Sequence, residues 1–202
     1  MKNNILVLLT LCMTVGACVK IKLEETYSKQ ETQIDTYLSK NNTAEREIEV
    51  TETDPDTGET VTKIVKRTDS LRIEYNKGAA RLVRVEGTGE PLSETGSVSF
   101  YYAGYTFTGN PSALFATNHE ETATAPGSGF ILTEPDYSLF EADMRDIELL
   151  NGLRNGLIGV QAGEECEILF SGKYAFGNQV FGIIPAKSAL LFKIWVIGVS
   201  ND

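Results

Sequence analysis

Histidine, cysteine and basic residues are scarce in this chain, and their scarcity excludes several classes of function. The 202 residues include one histidine, His119, which excludes zinc sites that need two imidazoles. There are 18 basic residues against 28 acidic ones, a net charge of −10, which argues against a protein that binds nucleic acid. No G-x-S-x-G segment is present, so the sequence shows no nucleophile elbow of a serine hydrolase.

The overall composition is that of a folded protein. Hydrophobic residues make up 42% of the chain and charged residues 23%, which is unlike a disordered protein. The length allows one domain with appendages or two very small domains. It is also sufficient for a hydrophobic core that needs no disulfide bonds.

The N-terminus has the pattern of an export signal that ends in a cysteine. Lys2 precedes the apolar stretch 5–15, whose eleven residues are too few to span a bilayer. Small residues then lead to Cys18. The segment Val15-Gly16-Ala17-Cys18 resembles the lipobox of bacterial lipoproteins. In that family the cysteine thiol receives a diacylglyceryl group and becomes the new N-terminus.

This resemblance implies that residues 1–17 are a signal peptide and that Cys18 anchors the protein to a membrane of the cell envelope. Val19 is not the aspartate that some bacteria use to retain lipoproteins at the inner membrane, so the outer membrane is expected. The alternative is an ordinary secretory signal in which the cysteine is incidental. Cys12 leaves with the signal, and Cys166, in an alternating apolar stretch, is predicted to be a buried structural cysteine rather than a nucleophile.

An extension precedes the main domain. Residues 18–45 are predicted to be the lipid anchor and a polar tether, with a helix from Glu24 to Lys40, where helix formers dominate. That helix either packs on the domain or acts as a spacer from the membrane, and the alternative is a tether in which the helix forms only transiently. Residues 46–79 are predicted to be a β-hairpin extension with strands within 47–66, because alternating β-branched residues flank strong turn chemistry. A further strand is predicted at Leu71 to Tyr75.

Residues 80–202 are predicted to form one α+β domain. Strands are expected in four segments: 82–85, 98–107, 165–170 and 190–199. Residues 108–138 are rich in Pro, Gly, Ser, Thr and Asn, and are predicted to be a long loop or loops. An amphipathic helix is predicted from Asp146 to Val160 because its apolar residues share one broad face. An antiparallel sheet with one such helix against it defines the α+β class.

Five segments of this domain, taken in order, resemble the FKBP-type peptidyl-prolyl cis-trans isomerase domain. They are Gly152-Leu153-Arg154-Asn155-Gly156-Leu157, Gly163-Glu164-Glu165, Tyr174-Ala175-Phe176-Gly177, Gly182-Ile183-Ile184-Pro185 and Ala189-Leu190-Leu191-Phe192. Four of them are similar to the family's helix, its Y-A-Y-G strand end, its G-I-I-P loop and its closing A-T-L-x-F strand. The resemblance covers residues 80–199 and implies a curved antiparallel β-sheet wrapped around one short amphipathic helix.

The resemblance also implies an activity. An FKBP-type isomerase acts on proline-containing polypeptides through an apolar pocket, with no cofactor and no metal. Rotation about an X–Pro bond is slow because the barrier is roughly 18–20 kcal/mol. The twisted amide has less charge separation than the planar one, so a dry aromatic pocket favours it relative to water. The sequence therefore predicts a lipid-anchored isomerase that assists the folding of exported proteins.

The family motifs assign the substrate pocket to eight positions. These are Tyr102, Phe115, Leu149, Leu150, Leu153, Phe176, Ile184 and Phe192. One further phenylalanine of the family pocket corresponds to either Phe130 or Phe140. No oligomeric state is predicted.

Three positions depart from the family pattern. Ala116 replaces an aspartate, Leu153 replaces a tryptophan, and Phe176 lacks the hydroxyl of the family tyrosine. A lost hydrogen bond costs about 0.5–1.5 kcal/mol, and three changes together are enough to lower kcat/KM by orders of magnitude. The alternative function is therefore a catalytically weak or inactive FKBP-like protein-binding module of the cell envelope. A third interpretation is a structural β-rich lipoprotein with only chance similarity.

Overall fold

The computed structural model describes residues 2–53, 55, 57–130, 136–146 and 148–201, with side chains from residue 20 onward. The helices are α1 (Lys2–Asn41), α2 (Glu120–Thr124) and α3 (Asn151–Leu157), with a 3-10 turn at Gly172–Tyr174. The strands are β1 (Thr43–Thr53), β2 (Thr60–Ser70), β3 (Ile73–Asn76), β4 (Ala79–Val85), β5 (Ser97–Phe107), β6 (Pro111–Thr117), β7 (Phe140–Asp143), β8 (Glu165–Phe170) and β9 (Ala189–Ser200).

Among the described residues, seven strands form one antiparallel sheet: six follow the order β3-β4-β8-β9-β5-β6, and β7 pairs with β5. Strand β9 pairs with the whole length of β5, so β6 and β7 share the other edge of β5. Helix α3 lies on one face of this sheet, which we call the inner face. The predicted α+β class, with one short helix against an antiparallel sheet, is confirmed.

Two glycines allow α3 to approach the sheet closely. A Cβ atom at Gly152 would overlap the ring of Phe170, and one at Gly156 would overlap Ile168. Both glycines lie on the same side of the helix because they are four residues apart. The helix backbone therefore packs directly on two fully buried residues of β8.

The helix predicted from Asp146 to Val160 is wrong in its length, since α3 spans only Asn151–Leu157. Leu150 before it and Ile158 after it are extended, with ψ of 131° and 126°. Gly159 then has φ of +86°, which ends any helix. The apolar residues on either side pack into the core from turns, so their helical spacing in the sequence did not reflect a helix. Ile147, part of that prediction, lies outside the described residues.

The prediction of loop structure throughout 108–138 is also wrong. Strand β6 and helix α2 both fall inside this range, and β7 follows it. Strand β6 begins at a proline, which an edge strand tolerates at its first position. The high content of Pro, Ser and Thr suggested a loop. Residues 111–117 form a strand because they pair with β5. Residues 131–135 lie outside the described residues.

Helix α1 packs on the outer face of the sheet, opposite α3. Tyr27, Ile34, Tyr37 and Leu38 are buried along one side of it. They share a hydrophobic cluster with sheet residues that include Leu82, Phe107, Leu169 and Leu191. Of the interpretations of the predicted helix, packing on the domain is therefore correct. Among the described residues, no helix combines the length and the apolar composition needed to cross a bilayer.

Polar contacts fix α1 in place. The Tyr37 hydroxyl donates to the Glu167 carboxylate at 2.9 Å, and Arg84 donates to the same oxygen at 3.1 Å. Burial, and then the charge of Glu167, raise the pKa of Tyr37 to about 12. The phenol therefore stays protonated and keeps its hydrogen bond throughout the neutral range.

Strands β1 and β2 form the predicted hairpin, which is longer at both ends than 47–66. They pair from Thr43–Ser70 to Thr53–Thr60. Within the part of the chain that the structure describes, these strands pair only with each other. The Leu71 N–H donates to the Asn42 carbonyl at 2.7 Å and closes the base of the hairpin. Val61 and Ile64 are exposed on it.

A buried charged pair supports α3 from the sheet. Arg81, 2% exposed, donates to the carbonyls of Gly156 at 3.0 Å and Ile158 at 2.9 Å. Its Nε lies 3.3 Å from Oε1 of the fully buried Glu164. Burial raises the pKa of Glu164, and the charges of Arg81 and Arg72 oppose that rise. Arg81 of β4 thus holds the C-terminal end of α3, and the carboxylate of Glu164 compensates its buried charge.

Candidate functional site

All eight predicted pocket residues belong to one hydrophobic cluster on the inner face. Leu153, Ile184 and Phe192 are buried in it. The other five are packed against it and partly exposed: Tyr102, Phe115, Leu149, Leu150 and Phe176. The cluster therefore has a buried base and an aromatic rim that solvent reaches, which is the form of a site for an apolar ligand.

Phe192 lies at the centre of the aromatic contacts. Its ring centroid is 5.7 Å from that of Phe115 in an edge-to-face arrangement, 6.0 Å from that of Phe170 and 6.3 Å from that of Tyr102. Gly104 provides the space, because a Cβ there would lie 2.7 Å from Phe115 and 3.0 Å from Phe192. Four strands, β5, β6, β8 and β9, thus contribute one continuous aromatic surface.

A bulge in β6 brings Phe115 into the site. Gly104 pairs with Ala116 and Tyr105 pairs with Leu114, so Phe115 is the extra residue between them. Directly paired residues point to the same side of a sheet, and the Cα–H of Gly104 points toward Phe115 and Phe192. Ala116 therefore faces the inner side, where the family pattern has an aspartate.

Asn118 is a site residue that was not predicted from the sequence. It is buried, and its side-chain oxygen accepts from the Tyr102 N–H at 2.6 Å. Its amide group donates to the Ser138 carbonyl at 2.8 Å. Thr117 adds a hydrogen bond from its hydroxyl to the Tyr102 carbonyl at 2.7 Å. Burial, and then the charge of Asp136, raise the pKa of Tyr102, so its hydroxyl remains a donor.

Phe140 adds a further ring to the rim. Its centroid lies 5.8 Å from that of Tyr102 and 5.3 Å from that of Phe100. Of the two phenylalanines considered for the remaining pocket position, Phe140 is the one in contact with Tyr102. Phe130 is half-buried at the edge of the described part of the long loop.

The floor of the site is built around the start of α3. Leu153 is buried on the helix, and Leu149 and Leu150 precede it in a turn. The Leu150 carbonyl accepts from the Arg154 N–H at 2.9 Å, so the extended Leu150 begins the helical hydrogen bonding. Three leucines are thus presented from one short segment, two at the rim and one at the base.

The segment 173–186, which we call the rim loop, closes the other side. The ring of Phe176 stacks on Phe181 with centroids 4.6 Å apart and planes 5° apart. Phe181 and Ile184 exchange two backbone hydrogen bonds of 3.0 and 2.8 Å, which turn Ile184 into the core. Val180, Phe181 and Ile183 remain 60–70% exposed. The loop therefore offers both pocket residues and an apolar outer surface.

Two cavities of several hundred Å³ lie away from this cluster. One of about 650 Å³ lies on the outer face beside His119 and Trp195, whose rings stack at 3.9 Å. Another of about 540 Å³ lies at the ends of β5, β7 and β9. Neither is lined by the clustered aromatic residues. We therefore locate the candidate site by the aromatic cluster rather than by cavity size.

The site favours binding over covalent chemistry. Cys166, whose side chain belongs to the same cluster, is 2% exposed, so the prediction of a buried structural cysteine is confirmed. Burial, and then the charge of Glu164, raise the pKa of its thiol well above the usual range. Because the thiolate is the nucleophilic form, this cysteine is inert at neutral pH. Aromatic and aliphatic side chains are what the site offers a substrate.

Comparison with known proteins identifies the family. A family model described as FKBP-type peptidyl-prolyl cis-trans isomerase matches residues 93–197. This chain belongs to that family. The match includes strands β5 to β8, most of β9, and all eight pocket positions. The interpretation of the chain as a structural lipoprotein with chance similarity is therefore excluded.

Individual relatives agree with the family match. FK506-binding protein 1 of Aspergillus oryzae is 20% identical over 124 residues, which cover 61% of this chain and 99% of that protein. FK506-binding protein 1A of Neurospora crassa is 34% identical over 55 residues, 27% of this chain and less than half, 46%, of that protein. The N-terminal domain of FKBP42 from Arabidopsis thaliana has the same fold, with a TM-score of 0.51, 19% identity and coverage of 67% and 96% of the two chains.

Proposed function

We propose that this member of the FKBP family is a lipid-anchored prolyl isomerase that assists the folding of exported proteins. The observation that carries the proposal is the gathering of all eight pocket positions in one cluster with an accessible aromatic rim. Its substrates are proline-containing polypeptides. The membrane attachment is proposed from Cys18, whose side chain lies outside the described residues.

The proposed mechanism requires no covalent step. The proline ring enters between Tyr102, Phe115 and Phe192, where the rings exclude water. A planar X–Pro amide carries charge separation that water stabilises, and the twisted amide carries less. Moving the bond into this apolar site therefore stabilises the transition state relative to the ground state. Tyr102, whose hydroxyl stays protonated, supplies a hydrogen-bond donor to this proposed site.

The rim loop supports a polypeptide rather than a small molecule as the substrate. Val180, Phe181 and Ile183 are exposed next to the site and form an apolar surface outside the pocket itself. An unfolded chain exposes the residues on both sides of a proline, apolar side chains among them. Such a surface binds these neighbouring residues with low sequence specificity, which a protein that assists the folding of many substrates requires.

A prolyl isomerisation assay on the full-length protein in detergent tests the enzymatic proposal. We expect turnover of a proline-containing tetrapeptide above the buffer rate and a loss of at least roughly tenfold in Tyr102→Ala. Tyr101→Ala is the matched control, because Tyr101 pairs with Trp195 on the outer face while Tyr102 pairs with Ile194 on the inner face. Equal effects of the two substitutions, or a wild-type rate no faster than buffer, would refute the enzymatic proposal.

The proposed anchor has its own test. In a bacterium that processes lipoproteins, the mature protein should begin at Cys18 and carry the mass of a diacylglyceryl group. Cys18→Ser should abolish this mass and release the protein from the outer-membrane fraction, whereas Cys12→Ser should change neither. A mature chain without added lipid mass contradicts the anchor but leaves the isomerase proposal intact.

The second candidate function is a non-catalytic binding module. Ala116, Leu153 and Phe176 favour it, because each removes a group that the family pattern places at the pocket. The long hairpin of β1 and β2, with Val61 and Ile64 exposed, is the surface that such a module would present. If Val61→Lys abolishes biological activity while Tyr102→Ala leaves it intact, the binding module is the correct function.

A further inference from the structure

One glutamine of α1 bridges the two ends of the rim loop. The side-chain amide of Gln30 donates to the Lys187 carbonyl at 2.6 Å, and its oxygen accepts from the Gly172 N–H at 2.9 Å. Gly172 lies just before the rim loop and Lys187 just after it. Gln30 therefore contacts the backbone on both sides of the segment that carries Phe176 and Ile184.

The two loop ends are held unusually close at this point. A Cβ at Gly172 would lie 2.5 Å from the Lys187 carbonyl oxygen, so only glycine fits. Lys187 has φ of +64°, in the left-handed region that lysine rarely adopts. Its N–H donates to the Gly177 carbonyl at 2.6 Å. Strained backbone of this kind persists only where surrounding contacts hold it.

Neighbouring contacts keep Gln30 over the loop ends. Tyr27, three residues earlier on α1, is buried, and Ser171 donates to Glu31 at 3.4 Å. One turn later, Ile34 is buried against the outer face of the sheet. The helix on one face of the sheet thus reaches, through a single side chain, a loop that belongs to the site on the other face.

We propose that Gln30 is a positioning residue that sets the closed form of the rim loop, so that docking of the N-terminal helix controls substrate binding in the pocket. The inference rests on the proposed function of the pocket. Gln30 touches no reacting atom. It acts by fixing Gly172 and Lys187, and these fix how far Phe176 and Ile184 project toward the proline site.

This role predicts a particular kinetic signature. Phe176 and Ile184 contact the proline in the ground state and in the transition state alike. Loosening the loop therefore weakens substrate binding equally in the ground state and in the transition state. Such a change raises KM and leaves kcat nearly unchanged. Loss of overall stability, by contrast, would reduce the amount of active protein and lower kcat.

The test compares Gln30→Met with Gln33→Met in the full-length protein. Methionine preserves the length of the side chain and removes both hydrogen bonds. Gln33 lies on the same helix and is exposed, so it controls for the substitution itself. In Gln30→Met we expect hydrogen exchange in 173–187 to accelerate roughly tenfold and KM for a proline peptide to rise roughly fivefold. Exchange in β9 and the melting temperature should match those of the control.

Two outcomes overturn the inference. If Gln30→Met matches Gln33→Met in both loop exchange and KM, the bridge does not position the loop. If exchange rises equally in 173–187 and in β9, Gln30 has only a general structural role. Should the wild-type protein show no turnover, the proposed enzymatic function fails, and affinity for the proline peptide measured by calorimetry replaces KM. Loop exchange together with that affinity then decides the inference.

Discussion

The side-chain oxygen of Asn118 accepts a hydrogen bond from the backbone N–H of Tyr102 at 2.6 Å. Through its amide group the same side chain donates to the Ser138 carbonyl, two residues before Phe140. The buried Asn118 thus fixes the backbone of Tyr102 and the backbone just before Phe140. The aromatic rim is therefore held in part by buried hydrogen bonds to its backbone.

The first prediction concerns this contact. Asn118→Ala removes partners from the Tyr102 N–H and the Ser138 carbonyl, and a buried group left without a partner costs about 1–3 kcal/mol. We expect the free energy of unfolding to fall by an amount in that range in urea titration. Asn110→Ala, in an exposed turn, is the control and should stay within about 0.5 kcal/mol of wild type. Equal values for the two variants would contradict the structural role of Asn118.

A second prediction concerns the missing carboxylate at the pocket wall. Ala116 faces the inner side because it pairs with Gly104, so Ala116→Asp places a polar group where the family pattern has one. We expect kcat/KM for a proline peptide to rise by at least roughly fivefold, the value of one additional hydrogen bond. Ala113→Asp, exposed on the same strand, should leave the rate unchanged. A lower rate in Ala116→Asp with an intact fold would show that the wall is formed differently here.

Features with a local pattern were predictable from the sequence. The hairpin has alternating β-branched residues and a strong turn, and the last strand is densely apolar, so both were found. The eight candidate pocket positions were assigned from short motifs in a fixed order, and the fold brings them into one hydrophobic cluster. Helix α3 was predicted too long because Leu149 and Leu150 keep helical spacing while facing the site from a turn. The local sequence pattern is the same for apolar residues on a helix face and for apolar residues that line a pocket from a turn.

Features that depend on distant partners were not predictable. Strand β6 forms because it pairs with β5, whereas the amino-acid composition of the segment alone is typical of a loop. Asn118, Gln30 and Arg81 are polar residues whose neighbours in the sequence are unremarkable. Each becomes important only because the fold places a particular carbonyl or N–H opposite its side chain. Such contacts have no periodicity, so a single sequence does not reveal them.

A third prediction tests how firmly α1 belongs to the domain. Tyr37→Phe removes the hydrogen bond from a buried hydroxyl to Glu167 and leaves the packing unchanged. Because the acceptor is charged, we expect the free energy of unfolding to fall by about 1.5–3 kcal/mol. Tyr75→Phe is the matched control: its hydroxyl contacts Asp35 of α1 at 3.3 Å, but the side chain is 66% exposed, so the change should be small. A similar small change in both variants would mean that α1 is only loosely attached.

The last prediction concerns acid stability at the end of β7. The Asp143 carboxylate accepts hydrogen bonds from the Arg145 side chain and from its backbone N–H, and these lower the pKa of Asp143 from 3.8 to about 2. A group whose pKa is lower in the folded state stabilises the fold above its unfolded value and loses that contribution as the pH falls. The melting temperature of wild type should therefore exceed that of Asp143→Asn above pH 3.8, and the difference should disappear as the pH falls toward 2.

Arg145→Ala separates this cause from a general effect of the negative charge. It keeps the carboxylate and removes the guanidinium, so the pKa of Asp143, followed by carbon NMR of its carboxyl group, should return most of the way to 3.8. The residual lowering should come from the backbone N–H of residue 145, which the substitution retains. A pKa that remains near 2 in Arg145→Ala would show that the guanidinium is not the main cause, and the turn after β7 would then owe its acid sensitivity to the backbone alone.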